Sequence, residues 1–402
     1  MNAPPTLRRS VSAVLVTFYG LGTILGAGIY VLIGAVVAEA GAWTPLAFVL
    51  AAAIAAVTAL SYAELVRRLP LCGGEALYVE AAFGRPALTL AVGLAIVFCG
   101  VVSSATIARG FAAYLALFAP LPAALAIILM VSGLVAVAVR GIEASVWLAS
   151  AMTVVEIGGL LLVLAVGGGS VEPAAALAAL SPPGDLHAAA GIAAGAFLAF
   201  YAFLGFEDMI NLAEEVQDVE RALPRAIVTA LAVATVLYVA VALVAVSAVP
   251  LAAIAGHEAP LAVIVAARGL DPRVIAAVSV VAVMNGALVQ IIKAARVLYG
   301  LARAGHLPRL LARIEPATRT PAVATVAVGA GVLACALGFD LVQLAALTSA
   351  VTLLVFAAAN AALIALRRRE RRRTGVVDGG PALPWLGLLL SLVLLAALCL
   401  LD

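Results

Sequence analysis

Ionisable side chains are scarce inside the long apolar stretches of this 402-residue sequence, and the few that occur there invite a chemical reading. Glu156 stands in Thr153-Val-Val-Glu-Ile-Gly158, Glu207 and Asp208 follow Phe203-Leu-Gly-Phe206, and Lys293, the single lysine, interrupts Gln290-Ile-Ile-Lys-Ala-Ala-Arg296. A charge in hydrocarbon is costly unless it is paired, hydrated or neutralised, so each is a candidate for binding or proton transfer. Around residues 20–30 the chemistry resides in the backbone. Gly22, Gly26 and Gly28 interrupt an apolar run, and each weakens a helix by about 1 kcal/mol relative to alanine. An unwound segment bares N–H and C=O groups, which a membrane tolerates only beside a polar ligand or water. Half-helix N-termini then face a carboxylate, while opposed C-terminal ends and free carbonyls accept from an ammonium group. Such a site would recognise a zwitterion without a charged side chain. The alternative for Gly22 and Gly26 is a small-residue face packed against a neighbouring helix.

The elements that must position these groups are apolar spans. Two-thirds of the residues (66%) are hydrophobic and 11% are charged, with a mean hydropathy of +1.22, too little charge to clothe a soluble core of this size. A bilayer takes roughly 20 apolar residues per helix, and the runs are continuous rather than alternating, which selects helices over barrel strands. Eleven spans are expected, near 11–38, 44–66, 87–118, 121–139, 144–166, 190–213, 224–248, 272–300, 321–338, 341–366 and 383–401. The chain divides accordingly: an N-terminal segment 1–10, spans one to five in 11–166, an external loop 167–189, spans six to ten in 190–366, a basic loop 367–382 and the last span in 383–402. With the N-terminus inside, the inner loops collect Arg8, Arg9, Arg67, Arg68, Arg85, Arg140, Arg221, Arg225, Arg303, Arg309, Arg313, Arg319 and the run Arg367–Arg373, whereas the outer loops keep Arg268 and Arg273. This is the positive-inside pattern and places the N-terminus in the cytoplasm. The basic run reads as a topogenic anchor that could also touch anionic headgroups. Basic residues are arginine in all but one case, a usage that fits a GC-rich bacterial genome and a bacterial cytoplasmic membrane. No cleavable signal peptide is expected, because the first apolar run is too long.

Breaks in spans one and six, the first members of two five-span halves, point to an inverted repeat with a binding site at the bilayer midplane. Cys72, Cys99, Cys335 and Cys399 have no metal or redox spacing and read as packing residues. His187, His257 and His306 lie far apart, and no nucleotide fingerprint is present, so an enzyme, a metal and a cofactor are not called for. Nothing in the composition suggests nucleic acid. The competing functions are a sensor that binds an amino acid without moving it, and a channel, for which a continuous polar lining is missing.

The segments Gly22-Thr-Ile-Leu-Gly-Ala-Gly-Ile-Tyr30, Ala59-Leu-Ser-Tyr-Ala-Glu-Leu65 with Pro70 and Gly73-Gly74, Phe203-Leu-Gly-Phe-Glu207, Ala213-Glu-Glu-Val216 through Pro224, and Arg296-Val-Leu-Tyr-Gly-Leu-Ala-Arg303 with Gly305 and Pro308 follow one another in order. Together they resemble the amino acid–polyamine–organocation superfamily, and within it the bacterial amino acid permeases and cationic-amino-acid-transporter-like members. The resemblance implies an all-α integral membrane protein with a five-plus-five inverted-repeat fold, alternating access, and a substrate site between spans one, three, six and eight. It implies that the backbone of Thr23, Ile24, Gly26, Ala27 and Gly28 faces the substrate carboxylate. Carbonyls around Tyr201, Ala202 and Leu204 would face the amine, with the Tyr201 ring as an occluding gate, and Val101, Ser104 and Gln290 would line the side-chain pocket. No acidic side chain falls at those positions, which favours a small or neutral amino acid over a cationic one. Spans one, five and eight meet in this fold, so a Glu156–Lys293 ion pair is expected there, bridging helices or exchanging a proton. Glu207 matches the family's acidic position and would gate, sense pH or anchor the break. Arg109 is expected to snorkel to the outer interface, and Glu64 and the Glu214-Glu215 pair to serve as latches or solvated faces. The sequence departs from the family in lacking a twelfth span, in Val219 where a proline is common, and in an acidic residue at Glu156. Proton-coupled transport is the expected activity, with exchange or sensing as alternatives; whether the chain forms a homodimer is left open.

Overall fold

The computed structural model describes residues 9, 11–26, 28–70, 74–140, 146–318, 320–369 and 380–401, without the side chains of 146–148 and 397–401. Arg8, Ala27, Cys72, Gly73, Arg319 and Arg371–Arg373 lie outside the described residues, as do most of the segments 1–10 and 367–382.

Helices form the whole of the described architecture, apart from one isolated bridge between Val11 and Val216. In chain order they are α1 (Ala13–Leu25), α2 (Gly28–Ala40), α3 (Thr44–Arg68), α4 (Gly74–Phe83), α5 (Pro86–Leu115), α6 (Ala123–Val139), α7 (Val146–Gly167), α8 (Pro173–Leu180), α9 (Leu186–Ala202), α10 (Val219–Ala248), α11 (Leu251–Ile254), α12 (Pro260–Ala267), α13 (Pro272–Arg303), α14 (Ala322–Gly338), α15 (Leu341–Arg369) and α16 (Leu383–Leu401). Seven helical stretches among the described residues are long and apolar enough to cross a membrane, and three more, Ala123–Val139, Ala322–Gly338 and Leu383–Ala396, are apolar but shorter. The chain is a multi-pass membrane protein.

Local chemistry sets the ends of several helices. Ser12 caps α1, its side chain accepting from the Leu15 N–H, and Asp185 caps α9 through the Ala188 N–H. Proline stands in the first turn of α3, α5 and α13, where its missing N–H costs nothing. Pro224 reads as the entry to span seven, yet α10 starts at Val219. The chain turns at Asp218, whose φ of 47° is left-handed, and Pro224 is absorbed near the start of the helix.

Packing places the long helices in a definite order. α5 lies along α13, α3 along α10, and α2 along α9. α1 packs on α7 and α10, while α9 packs on α15 and α3. α5 touches α14 and α15, α13 touches α6 and α7, and α6 meets α14. Buried aromatic rings fill the junction of α3, α9 and α15, with Tyr62 edge-on to Phe206 at 5.6 Å and to Phe356 at 5.4 Å. α16 covers α15 and α3; Gly387 meets Asn360, whose side chain accepts from Ser61 and donates to Thr58. A side chain at residue 387 would collide with the Asn360 amide, which explains the glycine there.

Candidate functional site

Both glycine-marked segments are broken helices, and they cross. The first helix stops at Leu25 and resumes at Gly28; the second ends at Ala202 and continues after Gly205 as a 3₁₀ helix, Phe206–Leu212. Gly205 has φ of 126°, a region that side-chain-bearing residues avoid. A Cβ on it would lie 2.5 Å from the Thr23 carbonyl oxygen, and one on Gly28 would lie 2.2 Å from the Ala202 Cα. These glycines therefore let the two breaks touch backbone to backbone. Gly22 also packs as a small residue, against Thr153 on α7, as the alternative for the glycine pattern expects.

The freed backbone groups are largely accounted for. The Thr23 hydroxyl donates to the Gly20 and Gly205 carbonyls at 2.9 Å each. The Tyr238 hydroxyl, from the middle of α10, donates to Ile24 O at 2.7 Å and Ala202 O at 3.0 Å, one carbonyl from each break. The Gly205 N–H donates to Glu207 Oε2 at 2.8 Å, which makes Glu207 an anchor of its own break. Sequence reasoning missed Tyr238; its one signal was a single aromatic ring in an otherwise aliphatic span.

Beside the crossing lies a small, partly open cavity. Thr23, Ile24 and Gly28 line it from the first break, Tyr201 and Leu204 from the second, Ser103 and Ile107 from α5, and Gly286, Val289 and Gln290 from α13. None of these side chains carries a charge at neutral pH. The N-terminus of α2 and the C-terminus of α9 meet here, so N–H groups and carbonyls of opposite polarity flank one small space. Of the expected lining, Thr23, Ile24, Gly28, Tyr201, Leu204 and Gln290 are at the cavity. Ser104 is turned away, donating to Gly100 O, and its neighbour Ser103 takes the place. Val101 faces Gly331 of α14, Gly26 packs near Gly22 O and Ala282 O, and Ala202 abuts Gly28. The Tyr201 ring reaches across to α5, its hydroxyl 2.9 Å from Ser103 Oγ and donating to Ser103 O at 3.2 Å.

The expected Glu156–Lys293 pair does not form. Lys293 Nζ is 2.5 Å from Asp208 Oδ1, and Gln290 Nε2 donates to Asp208 Oδ2 at 2.9 Å. Glu156 instead accepts from Asn285 Nδ2 at 3.3 Å, and its Oε2 is buried with no partner among the described residues. The reason is register: Asn285 and Lys293 are eight residues apart on α13, about 12 Å along a helix axis. Asp208, a candidate charge with no assigned partner in the sequence reading, is the lysine's partner. Tyr30 on α2 donates to the Glu156 backbone carbonyl at 2.5 Å, tying α7 to the first broken span.

At the arginine-rich end Glu64 is buried and paired with both Arg68 and Arg367, joining α3 to α15. Glu75 on α4 is buried and accepts from Tyr62 at 3.0 Å. Burial pushes its carboxyl above the usual range, while the Lys293 charge and the Tyr62 hydroxyl pull the other way. At the opposite end Arg109 donates to the Ala336 and Phe339 carbonyls at the end of α14, and lies 3.9 Å from Glu258; it binds a helix terminus as well as reaching outward.

A family model described as amino acid permease matches residues 11–401. An uncharacterized transporter of Mycobacterium tuberculosis is 31% identical over 99% of this chain and 88% of its own length. The vacuolar cationic amino acid transporter 4 of Arabidopsis thaliana is 29% identical over 91% of this chain, which spans 64% of that relative. A branched-chain amino acid permease of Bacillus subtilis is 28% identical over 97% of this chain and 88% of its own length. The chain belongs to the amino acid permease family.

Proposed function

We propose that this protein is a secondary transporter that carries a small, neutral amino acid across a bacterial cytoplasmic membrane by alternating access, coupled to protons. The observation that carries the proposal is the crossing of two broken helices beside a cavity whose lining has no acidic or basic side chain. The substrate carboxylate sits at the N-terminus of α2, and its ammonium group at the C-terminal end of α9. Tyr201 closes the cavity by bridging α9 and α5. The named substrates of the relatives differ, cationic in one case and branched-chain in another, so the neutral assignment rests on this chain's own lining.

The architecture behind this reading is a five-plus-five inverted repeat, with α16 as an eleventh span. Its support is a symmetry of neighbours. Let α1–α2, α3, α5, α6 and α7 correspond to α9 with its 3₁₀ segment, α10, α13, α14 and α15. Exchanging each helix for its counterpart turns the α1–α7 contact into α9–α15, α1–α10 into α9–α3, α5–α15 into α13–α7, and α5–α14 into α13–α6, all of which occur. The arginine-rich end faces the cytoplasm by the positive-inside pattern.

Glu156 is the proton site in this scheme. Its carboxyl has one amide partner and one oxygen without a partner among the described residues, and it sits between the first broken span and α13. Lys293 and Asp208 hold the 3₁₀ half of the second break to α13 and act as an inner gate. The test is uptake of labelled amino acids into proteoliposomes, with and without an inward proton gradient, for wild type and Glu156→Gln. Uptake driven by the gradient in wild type, lost as a response in the variant while binding persists, is the expected result. Uptake that ignores the gradient but requires internal amino acid would make the protein an exchanger. Binding without uptake would make it a sensor.

A further inference from the structure

We propose that the pocket selects a hydrogen-bond donor on the substrate side chain, so that the preferred substrate is a small hydroxy amino acid over its isosteric aliphatic counterpart. The inference rests on the amino acid transport reading and concerns the side-chain end of the same cavity.

Gln290 is the polar residue that α13 contributes to the lining. A glutamine amide at a pocket wall ordinarily offers either a donor or an acceptor, because the group can turn over. Here it cannot. Asp208 is 2% exposed and ion-paired with Lys293, so it has only acceptor oxygens. Lys293 occupies Oδ1, and Oδ2 requires a donor, which the Gln290 Nε2 supplies at 2.9 Å. The amide nitrogen is thus held toward Asp208, and the carbonyl Oε1 is fixed in the other direction. Among the described residues Gln290 makes no other hydrogen bond, and its Oε1 is not sealed in the core. The pocket wall is therefore a fixed acceptor.

The neighbours sharpen the selection. Ile107 and Val289 are apolar, and Gly286, one helical turn before Gln290, leaves room in front of the amide. The Ser103 hydroxyl is engaged with Tyr201. An aliphatic side chain pressed against Oε1 would bury an acceptor without a partner, whereas a hydroxyl would satisfy it.

Threonine and valine are isosteres, as near as amino acids come, so the contrast isolates the hydroxyl. Competition against a labelled substrate would be measured with the full chain in proteoliposomes, for threonine against valine and serine against alanine. Threonine is expected to bind about tenfold more tightly than valine, the worth of one good hydrogen bond in place of an unmet acceptor. Asp208→Asn frees the amide to turn, and Gln290→Leu removes it; each is expected to bring the threonine-to-valine ratio to within about twofold. Should Asp208→Asn fail to fold, Gln290→Leu alone decides. Valine equal to or better than threonine in wild type overturns the proposal, as does a ratio unchanged by Gln290→Leu. If no amino acid competes at all, the amino acid transport reading fails and takes this inference with it.

Discussion

Ile24 O and Ala202 O have lost their helical partners at the two breaks, and the Tyr238 hydroxyl donates to both. Tyr238→Phe keeps the ring against Phe203, 5.1 Å away, and removes only that hydroxyl. Two buried carbonyls then go unmet, and leaving a buried polar group without its partner costs about 1–3 kcal/mol. The expected result is a lower melting temperature in detergent together with weaker substrate binding, and an unchanged melting temperature would refute the role given to the hydroxyl. At this scale the sequence was informative where the backbone does the work and less so elsewhere. Glycine spacing located both breaks, because glycine is needed at Gly205 and Gly28 for local reasons. Ser104 was expected where Ser103 stands, since one residue turns a helix face by about 100° and no local signal sets that phase. Asp208 was overlooked as the partner of Lys293 because the contact joins residues 85 apart.

Element by element, the helices that carry the site are mostly legible as apolar runs, while the short ones between them are not. α4 has no span-length apolar signature, yet it buries Glu75 beneath Tyr62 and beside the charge of Lys293. Because that carboxyl is raised above its ordinary 4.5, the folded protein holds the proton more tightly than the unfolded chain does. Unfolding then releases protons, so stability declines as pH climbs above the ordinary carboxylate range. Glu75→Gln takes this group out of the titration. Its melting temperature is expected to fall less than that of wild type as pH rises above the ordinary carboxylate range. Parallel curves for the two proteins would show that Glu75 does not titrate in this way. The same burial explains why α4 packs against α5 and α15 instead of hanging free as a loop.

For the whole molecule, the placement of arginine and the symmetry of helix neighbours both support the proposed topology. Single cysteines placed at Arg313 and at Glu172, both outside the long spans, are expected to react with impermeant thiol reagents from opposite sides of the membrane: residue 172 in intact cells, residue 313 only in inverted vesicles. Labelling of both from the same side would break the correspondence between the two halves. The shared Tyr238 hydroxyl has a further consequence for the transport cycle. One proton lies between two carbonyls that belong to different hinges, and it can follow only one of them if they part. A break that moved alone would leave one of the two carbonyls without its donor, so in that scheme the least costly motion would keep α1–α2, α9 and α10 in step. Under the alternating-access scheme proposed above, this hydroxyl would act as a synchronising pin rather than leave two independent joints.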